Sequence, residues 1–167
     1  MEIERKFLVH HLPTGLEQYP HLEIEQAYLC TSPTLRIRRM GDCYILTIKQ
    51  HLVADSTAIH NREEEFPISA ECYRHLLAKC DNGRISKTRY RIDLRSYMRD
   101  GLYVGLVAEL DIFHGQNEGL LLVEVEFPDT QTANSFIPPD WFGEDVSQDP
   151  RYRNSYLSGT EQPPIVC

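Results

Sequence analysis

Carboxylates recur two residues apart along this chain, as Glu2-x-Glu4, Glu63-x-Glu65, Glu109-x-Asp111 and Glu124-x-Glu126. Cationic side chains repeat the same spacing in Arg36-x-Arg38 and Lys87-x-Arg89-x-Arg91, with Lys6 and Lys49 standing singly. In an extended strand successive side chains point to opposite sides, so a spacing of two puts both members of a pair on one face. Their Cα atoms are then about 6.6 Å apart. Two ionised carboxylates at that distance repel by ~0.6 kcal/mol in bulk water and by ~2.5 kcal/mol at an effective dielectric near 20. Pairs so placed in a cleft call for a cation. An all-oxygen cluster suits Mg2+ or Mn2+ better than zinc. Magnesium held by few carboxylates keeps waters and takes phosphate oxygens as further ligands. Rows of arginine offer forked donors to phosphate, and lysine adds point charge. The substrate class that fits both sets is a linear polyphosphate lying between them.

The elements that must carry these pairs read mostly as strands. In Met1–Val9 the side chains of Glu2, Glu4, Lys6 and Leu8 share one face, and Ile3, Phe7 and Val9 line the other with Arg5 as the exception. Residues 23–29 form a second strand, with Ser32-Pro33 as a turn. Residues 34–40 and 43–50 make a hairpin about Gly41-Asp42, with Thr47 and Lys49 opposite Tyr44, Leu46 and Ile48. After an irregular loop over 51–58, a fifth strand spans 59–66. There Glu63 and Glu65 are chosen over Glu64 by parity and by the Phe66-Pro67-Ile68 that follows. Ser69 caps a helix through about Cys80, whose apolar stripe is Cys72, Tyr73, Leu76, Leu77 and Cys80. Further strands follow at 84–94, 102–113 (after an Arg99-Asp100-Gly101 turn) and 120–127 (after Asn117-Glu118-Gly119). The proline-bearing remainder reads as helical pieces and loops, ending in a short helix over 151–158.

Eight mostly antiparallel strands suffice to close a barrel. Alternation alone cannot say which face is inside. One arrangement is a sheet or sandwich whose charged face meets water and does no chemistry. The other is an α+β fold, mainly antiparallel β: an eight-stranded closed tunnel with a charged lumen and helices packed outside. The segregation of signs favours the tunnel. A solvated face interleaves charges to relieve repulsion, whereas here acid sits with acid and base with base on separate strands.

At 167 residues the chain is expected to be one domain, 1–167, large enough for its own core. A net charge of −8 argues against nucleic acid as a partner, while leaving room for a local anion pocket. No apolar run is long enough for a membrane span and no signal-peptide core is present, so no membrane partner is expected. Five scattered cysteines without a Cys-x-x-Cys fit a reducing cytoplasm. The seven histidines form no His-x-x-x-His pair or Cys/His cluster, and there is neither a Gly-x-Ser-x-Gly elbow nor a Walker loop.

The opening Glu2-x-Glu4-x-Lys6 resembles the ExExK signature of the CYTH family, the triphosphate tunnel metalloenzymes. The resemblance continues in family order through Thr34-Leu-Arg36-Ile-Arg38, Thr47-Ile-Lys49, Glu63-x-Glu65, Lys87-Thr-Arg89-Tyr, Glu109-x-Asp111 and Glu124-x-Glu126. The segment Trp141–Leu157, with Asp149-Pro-Arg151-Tyr152-Arg153-Asn154, is similar to the family's C-terminal lid or plug. The resemblance implies metal-dependent hydrolysis of tripolyphosphate to diphosphate and phosphate, most as in the small bacterial inorganic triphosphatases. Ala27 stands where that branch often has Gly.

On this resemblance Glu2, Glu4, Glu124 and Glu126 hold the metal. Glu63, Glu65, Glu109 and Asp111 place a second metal or the attacking water, which with Glu2 and Glu4 completes the catalytic set. Lys6, Arg36, Arg38, Lys49, Lys87 and Arg89 clamp the phosphates, with Arg91 joining them or making a structural ion pair. Arg151 and Tyr152 gate a mouth or, better supported, pack a helix. A class IV adenylyl cyclase, a thiamine triphosphatase and a non-catalytic polyphosphate sensor remain the alternatives. Oligomeric state does not follow from the sequence, and a homodimer is left open.

Overall fold

The period-two alternation is realised almost throughout, and it bends one sheet into a closed wall. The computed structural model describes residues 1–52, 58–80, 83–97 and 105–159. Among them, strands β1 (Glu2–Val9), β2 (His21–Thr31), β3 (Thr34–Met40), β4 (Cys43–Leu52), β5 (Ile59–Pro67), β6 (Ile85–Asp93), β7 (Val107–His114), β8 (Leu121–Glu126) and β9 (Phe142–Asp145) are ordered β5-β4-β3-β2-β6-β7-β8-β1-β9. An added pairing of β5 with β1 joins the ends, so β1–β8 close an antiparallel barrel and β9 lies outside that circuit.

β1 is where the closure happens. One of its edges pairs with β8 from Glu4↔Glu126 to Leu8↔Leu122. The other edge is divided: Glu2, Ile3 and Glu4 pair with Asn61, His60 and Ile59 of β5, and Phe7 and Val9 pair with Asp145 and Phe142 of β9.

Apolar faces point outward and are covered. Ile3, Phe7, Leu110, Val123 and Val125 pack beneath helix α2 (Thr130–Ser135) and the Phe136–Phe142 stretch in one cluster. On the other side Ala27 and Ile37 pack with Tyr73 of helix α1 (Ala70–Leu77), alongside Tyr44, Leu46 and Leu76. Ser69 caps α1 by accepting from the Cys72 amide at 3.1 Å, as its sequence predicts. Arg5, the charged residue on the apolar face of β1, is a staple. Its guanidinium donates to Asp145 Oδ2 at 2.7 Å and to the carbonyls of Ala133 and Phe136, and lies 4.9 Å from the Phe7 ring centre.

The inside is not charged along its whole length. Leu8, Tyr28, Ile85, Phe113 and Leu122 share the parity of the inward charged residues, and they pack with Val146, Tyr152 and Leu157 from the C-terminal segment. An apolar layer therefore fills the end of the barrel toward which β1 runs, against the segment holding the short helix α3 (Asn154–Leu157).

Four expectations need correction. The helix expected over 69–80 ends at Leu77, with Ala78 as its C-cap. The strand expected from 102 begins at Val107, and the Arg99-Asp100-Gly101 turn lies outside the described residues. Of the loop expected over 51–58, His51 and Leu52 continue β4 against Asn61 and His60, while 53–57 lie outside the described residues. Strand β9 arises in a stretch read as loops and helical pieces. It fits because β5 leaves half of the β1 edge free and because Gly143 packs so close to Leu8 that a Cβ there would meet that backbone at 3.3 Å.

Among the described residues no helix is long and apolar enough to cross a membrane. Cys30, Cys43, Cys72 and Cys80 are free thiols, and Cys167 lies outside the described residues.

Candidate active site

Barrel closure gathers the paired charges around one cavity of about 1540 Å³. Its wall includes Glu2, Glu4, Lys6, Arg36, Arg38, Lys49, Glu63, Glu65, Lys87, Arg89, Arg91, Glu109, Glu124 and Glu126. Asp111 sits behind the wall, fully buried against Lys87 and Arg89. Strand register sets these neighbours: Lys49 lies opposite Glu63, Arg89 opposite Asp111, Glu109 opposite Glu124, and Lys6 beside Glu124. β5 keeps the parity read from the sequence. Glu63 and Glu65 face the cavity cations, and Glu64 pairs outward with Arg62 where both are exposed.

Two cations organise the acids. Lys49 Nζ lies 2.6 Å from Glu2, 3.1 Å from Glu63 and 3.8 Å from Glu4. Arg89 donates to both oxygens of Asp111 at 2.6 Å, to Glu124 at 2.8 Å, and to Glu109. Lys6 pairs with Glu124 at 2.8 Å and also donates to the Tyr152 carbonyl at 3.2 Å. Arg36 stands 3.5 Å from Glu63 and 3.6 Å from Glu65, while Arg38 pairs with Glu65 at 2.8 Å. Arg91, with its side chain 58% exposed, is at the rim, 3.7 Å from Glu109.

Charge balance explains the proton affinities. Three carboxylates share the single Lys49 ammonium, so negative charge is in surplus there. Burial and the nearby Glu4 push the Glu2 carboxyl up to about 7. Burial would pull the Lys49 ammonium down, yet Glu4, Glu2 and Glu63 hold it above its ordinary value. Burial works against Glu124 too, but Lys6 and Arg89 keep it ionised well below the usual carboxylate range. Burial lowers Lys87 to about 8, with Arg89 adding to the effect and Asp111 opposing it.

Glu126 is the acid left over. Among the described residues it pairs with no cation, and burial together with Glu109, Glu4 and Glu63 raises its proton affinity. Beside it Glu2 and Glu4 share the one Lys49 ammonium, and these acids together with Glu124 on the same wall form an all-oxygen group that would fit a hard divalent cation. Among the described residues no three such side chains already converge tightly enough to hold one. The fit therefore requires Glu2 and Glu4 to turn away from Lys49.

Three residues at the site are not among those the sequence assigns to it. Asn61 donates to Glu2 Oε2 at 3.2 Å, and Thr47 donates to Glu65 at 3.1 Å. Both share the parity of acids or bases on their own strands, which was the available signal. The third, Arg153, lines the cavity from the C-terminal segment. By contrast Arg151 pairs outward with Asp149 at 2.5 Å and Tyr152 is buried in the apolar layer, which leaves the packing role and not a gate.

Comparison with known proteins places these features among relatives. A model of the CYTH domain matches residues 1–138. An inorganic triphosphatase of Nitrosomonas europaea is 38% identical over 161 residues, covering 94% of this chain and 96% of that protein. One from Acetivibrio thermocellus is 34% identical over 163 residues, covering 93% and 92%. The crystal structure of the inorganic triphosphatase NE1496 is similar with a TM-score of 0.67 at 36% identity, covering 96% of this chain and 95% of that one.

Proposed function

The chain belongs to the CYTH family, and from that premise we propose that it hydrolyses inorganic triphosphate to diphosphate and phosphate with a divalent cation, Mg2+ or Mn2+. The observation that carries this reading is a cavity in which rows of Arg and Lys face rows of Glu, brought together from several strands. A triphosphate is a linear polyanion of matching shape and charge.

Substrate binding is an exchange of partners. Arg36, Arg38, Lys6 and Lys49 now rest on carboxylates and would turn to phosphate oxygens as the chain enters, while Lys87 and Arg89 would meet phosphate without leaving Asp111. Glu2 and Glu4, so released, would hold the cation together with Glu126 and Glu124. When bound, that cation neutralises phosphate oxygens and polarises the phosphorus for attack. Glu63, Glu65 and Glu109 reach the cavity and would orient the attacking water. Arginine and lysine forks on the leaving and transferring groups stabilise charge in a loose transition state. Asp111 takes a different part from these acids. Its oxygens are filled by Lys87 and Arg89, so it is a positioning residue that aims both cations. Arg91 would meet substrate only at the rim.

Residues after 138 complete the same domain by filling one end of the barrel. Four free thiols fit a cytoplasmic setting. Trp141, the aromatic surface that thiamine would call for, is 1% exposed in the outer core, so it offers thiamine triphosphate no platform. Phosphate release from tripolyphosphate, ATP and thiamine triphosphate, with and without Mg2+, tests the proposal. Metal-dependent turnover should be fastest on tripolyphosphate. Turnover confined to ATP or thiamine triphosphate, or binding with no turnover, would reject it.

A further inference from the structure

Every strand-borne cation on the cavity wall already has an acid: Lys6 has Glu124, Arg36 and Arg38 have Glu65, Lys49 has Glu2, Lys87 and Arg89 have Asp111, and Arg91 has Glu109. Arg153 lines the same cavity and, among the described residues, lies within ion-pairing distance of no carboxylate. Its near neighbour Arg151 shows that the segment can satisfy an arginine locally, since Asp149 holds that one at 2.5 Å.

The backbone that carries Arg153 is fixed. Tyr152 is buried among Leu8, Tyr28 and Ile85, and its carbonyl receives Lys6 Nζ. The Arg153 carbonyl accepts from the amides of Tyr156 and Leu157, both at 2.9 Å. Asn154, on the same wall, has a buried side-chain oxygen with no hydrogen-bond partner. Arg153 thus meets the cavity from a fixed backbone with its charge unpaired among the described residues, where charges this close to the interior are normally paired.

We infer that Arg153 is a substrate-binding residue that holds the terminal phosphate at the end of the cavity beside Lys6, opposite the Glu2–Glu126 end. The inference rests on the triphosphatase reading and deepens it. The strand-borne cations share their donors between carboxylate and phosphate. Arg153 has no carboxylate partner among the described residues, so its contribution is undiluted by exchange. Because it stands at one end of the bore, it rewards a chain long enough to span the cavity and does less for a shorter one.

The test is calorimetric binding of tripolyphosphate and of diphosphate without metal, and steady-state kinetics with Mg2+, on wild type, Arg153→Ala and Arg153→Gln. A charge-assisted contact to phosphate is lost, so tripolyphosphate affinity should fall roughly ten- to a hundredfold. KM should rise by a similar factor with kcat changing far less. Diphosphate affinity should fall less than tripolyphosphate affinity, and the melting temperature should hold because no ion pair is broken. Arg153→Gln keeps most of the side-chain stem and serves if the alanine variant does not fold. Unchanged tripolyphosphate affinity in a folded variant, or equal losses for both ligands, overturns the role of Arg153. Wild type that neither binds nor hydrolyses tripolyphosphate overturns the triphosphatase reading itself.

Discussion

Lys87→Met should make the protein more stable and less able to bind triphosphate. Lys87 is 1% exposed on β6, and burial brings its ammonium from 10.5 to about 8 although Asp111 lies 2.5 Å away. A downward shift of that size means that the charged form costs about 3 kcal/mol in the folded state relative to the unfolded one. Below pH 8 both states hold the proton, so the cost is fully present. Between pH 8 and 10.5 the folded state releases its proton and the unfolded state keeps it, so wild-type stability climbs relative to a variant without the amine. Methionine fills similar volume, and Asp111 keeps its two bonds from Arg89, so no buried charge is orphaned. We expect Lys87→Met to gain about 1–3 kcal/mol at pH 7, or about 2–12 °C in melting temperature for a domain of this size. Denaturant titrations at pH 7, 8, 9 and 10, with tripolyphosphate affinity measured in parallel, are the assay. The reasoning fails if the variant is less stable than wild type at pH 7, or if the difference does not shrink between pH 8 and 10.

The surplus of acid around Lys49 predicts a second pH effect. Glu2 is raised from 4.5 to about 7, so between those values the folded state binds a proton that the unfolded state has lost, and metal-free protein should lose stability as pH rises through that window. Melting curves with chelator should show this slope, and Mg2+ or Glu2→Gln should flatten it; an identical slope in the variant would contradict the assignment. Glu4→Gln should abolish metal-dependent turnover with the fold intact by circular dichroism, and full activity would remove Glu4 from the ligand set. Arg5→Ala breaks the bond to Asp145 and two carbonyl contacts, and should cost about 2–4 kcal/mol. A melting temperature within 2 °C of wild type, a stability change of about 1 kcal/mol or less, would show the staple to be idle.

The parity of the strands was readable because a period of two is rigid: once Glu2, Glu4 and Lys6 share a face, backbone geometry leaves no choice. The same rule separated Glu63 and Glu65 from Glu64. Inside against outside was readable from charge sorting, since like-signed pairs make sense only around a ligand. What could not be read was partnership across the bore. That Lys49 collects Glu2, Glu4 and Glu63 depends on how the wall curves, not on any single strand. β9 was hidden because four residues with a glycine carry little pattern, and their place is created by the edge that β5 leaves free. Arg153 was hidden because a short turn has no fixed period, so its neighbour Arg151 looked equally eligible. The apolar layer at Leu8, Tyr28 and Phe113 is not legible as a plug, because its other half comes from residues near Tyr152.

The division of β1 between β8, β5 and β9 has a consequence for how the molecule comes into being. Strand β1 completes its hydrogen bonding only when β8 and β9 arrive; Arg5 waits for a residue 140 positions further on. Contacts so distant in sequence close slowly. Until they do, a nascent chain exposes an extended segment with an oily side and a bare edge, which is the kind of surface that chaperones shield. Glu2, Glu4 and Lys6 ride on that segment, so competence should appear all at once with its docking and never in a partly assembled intermediate.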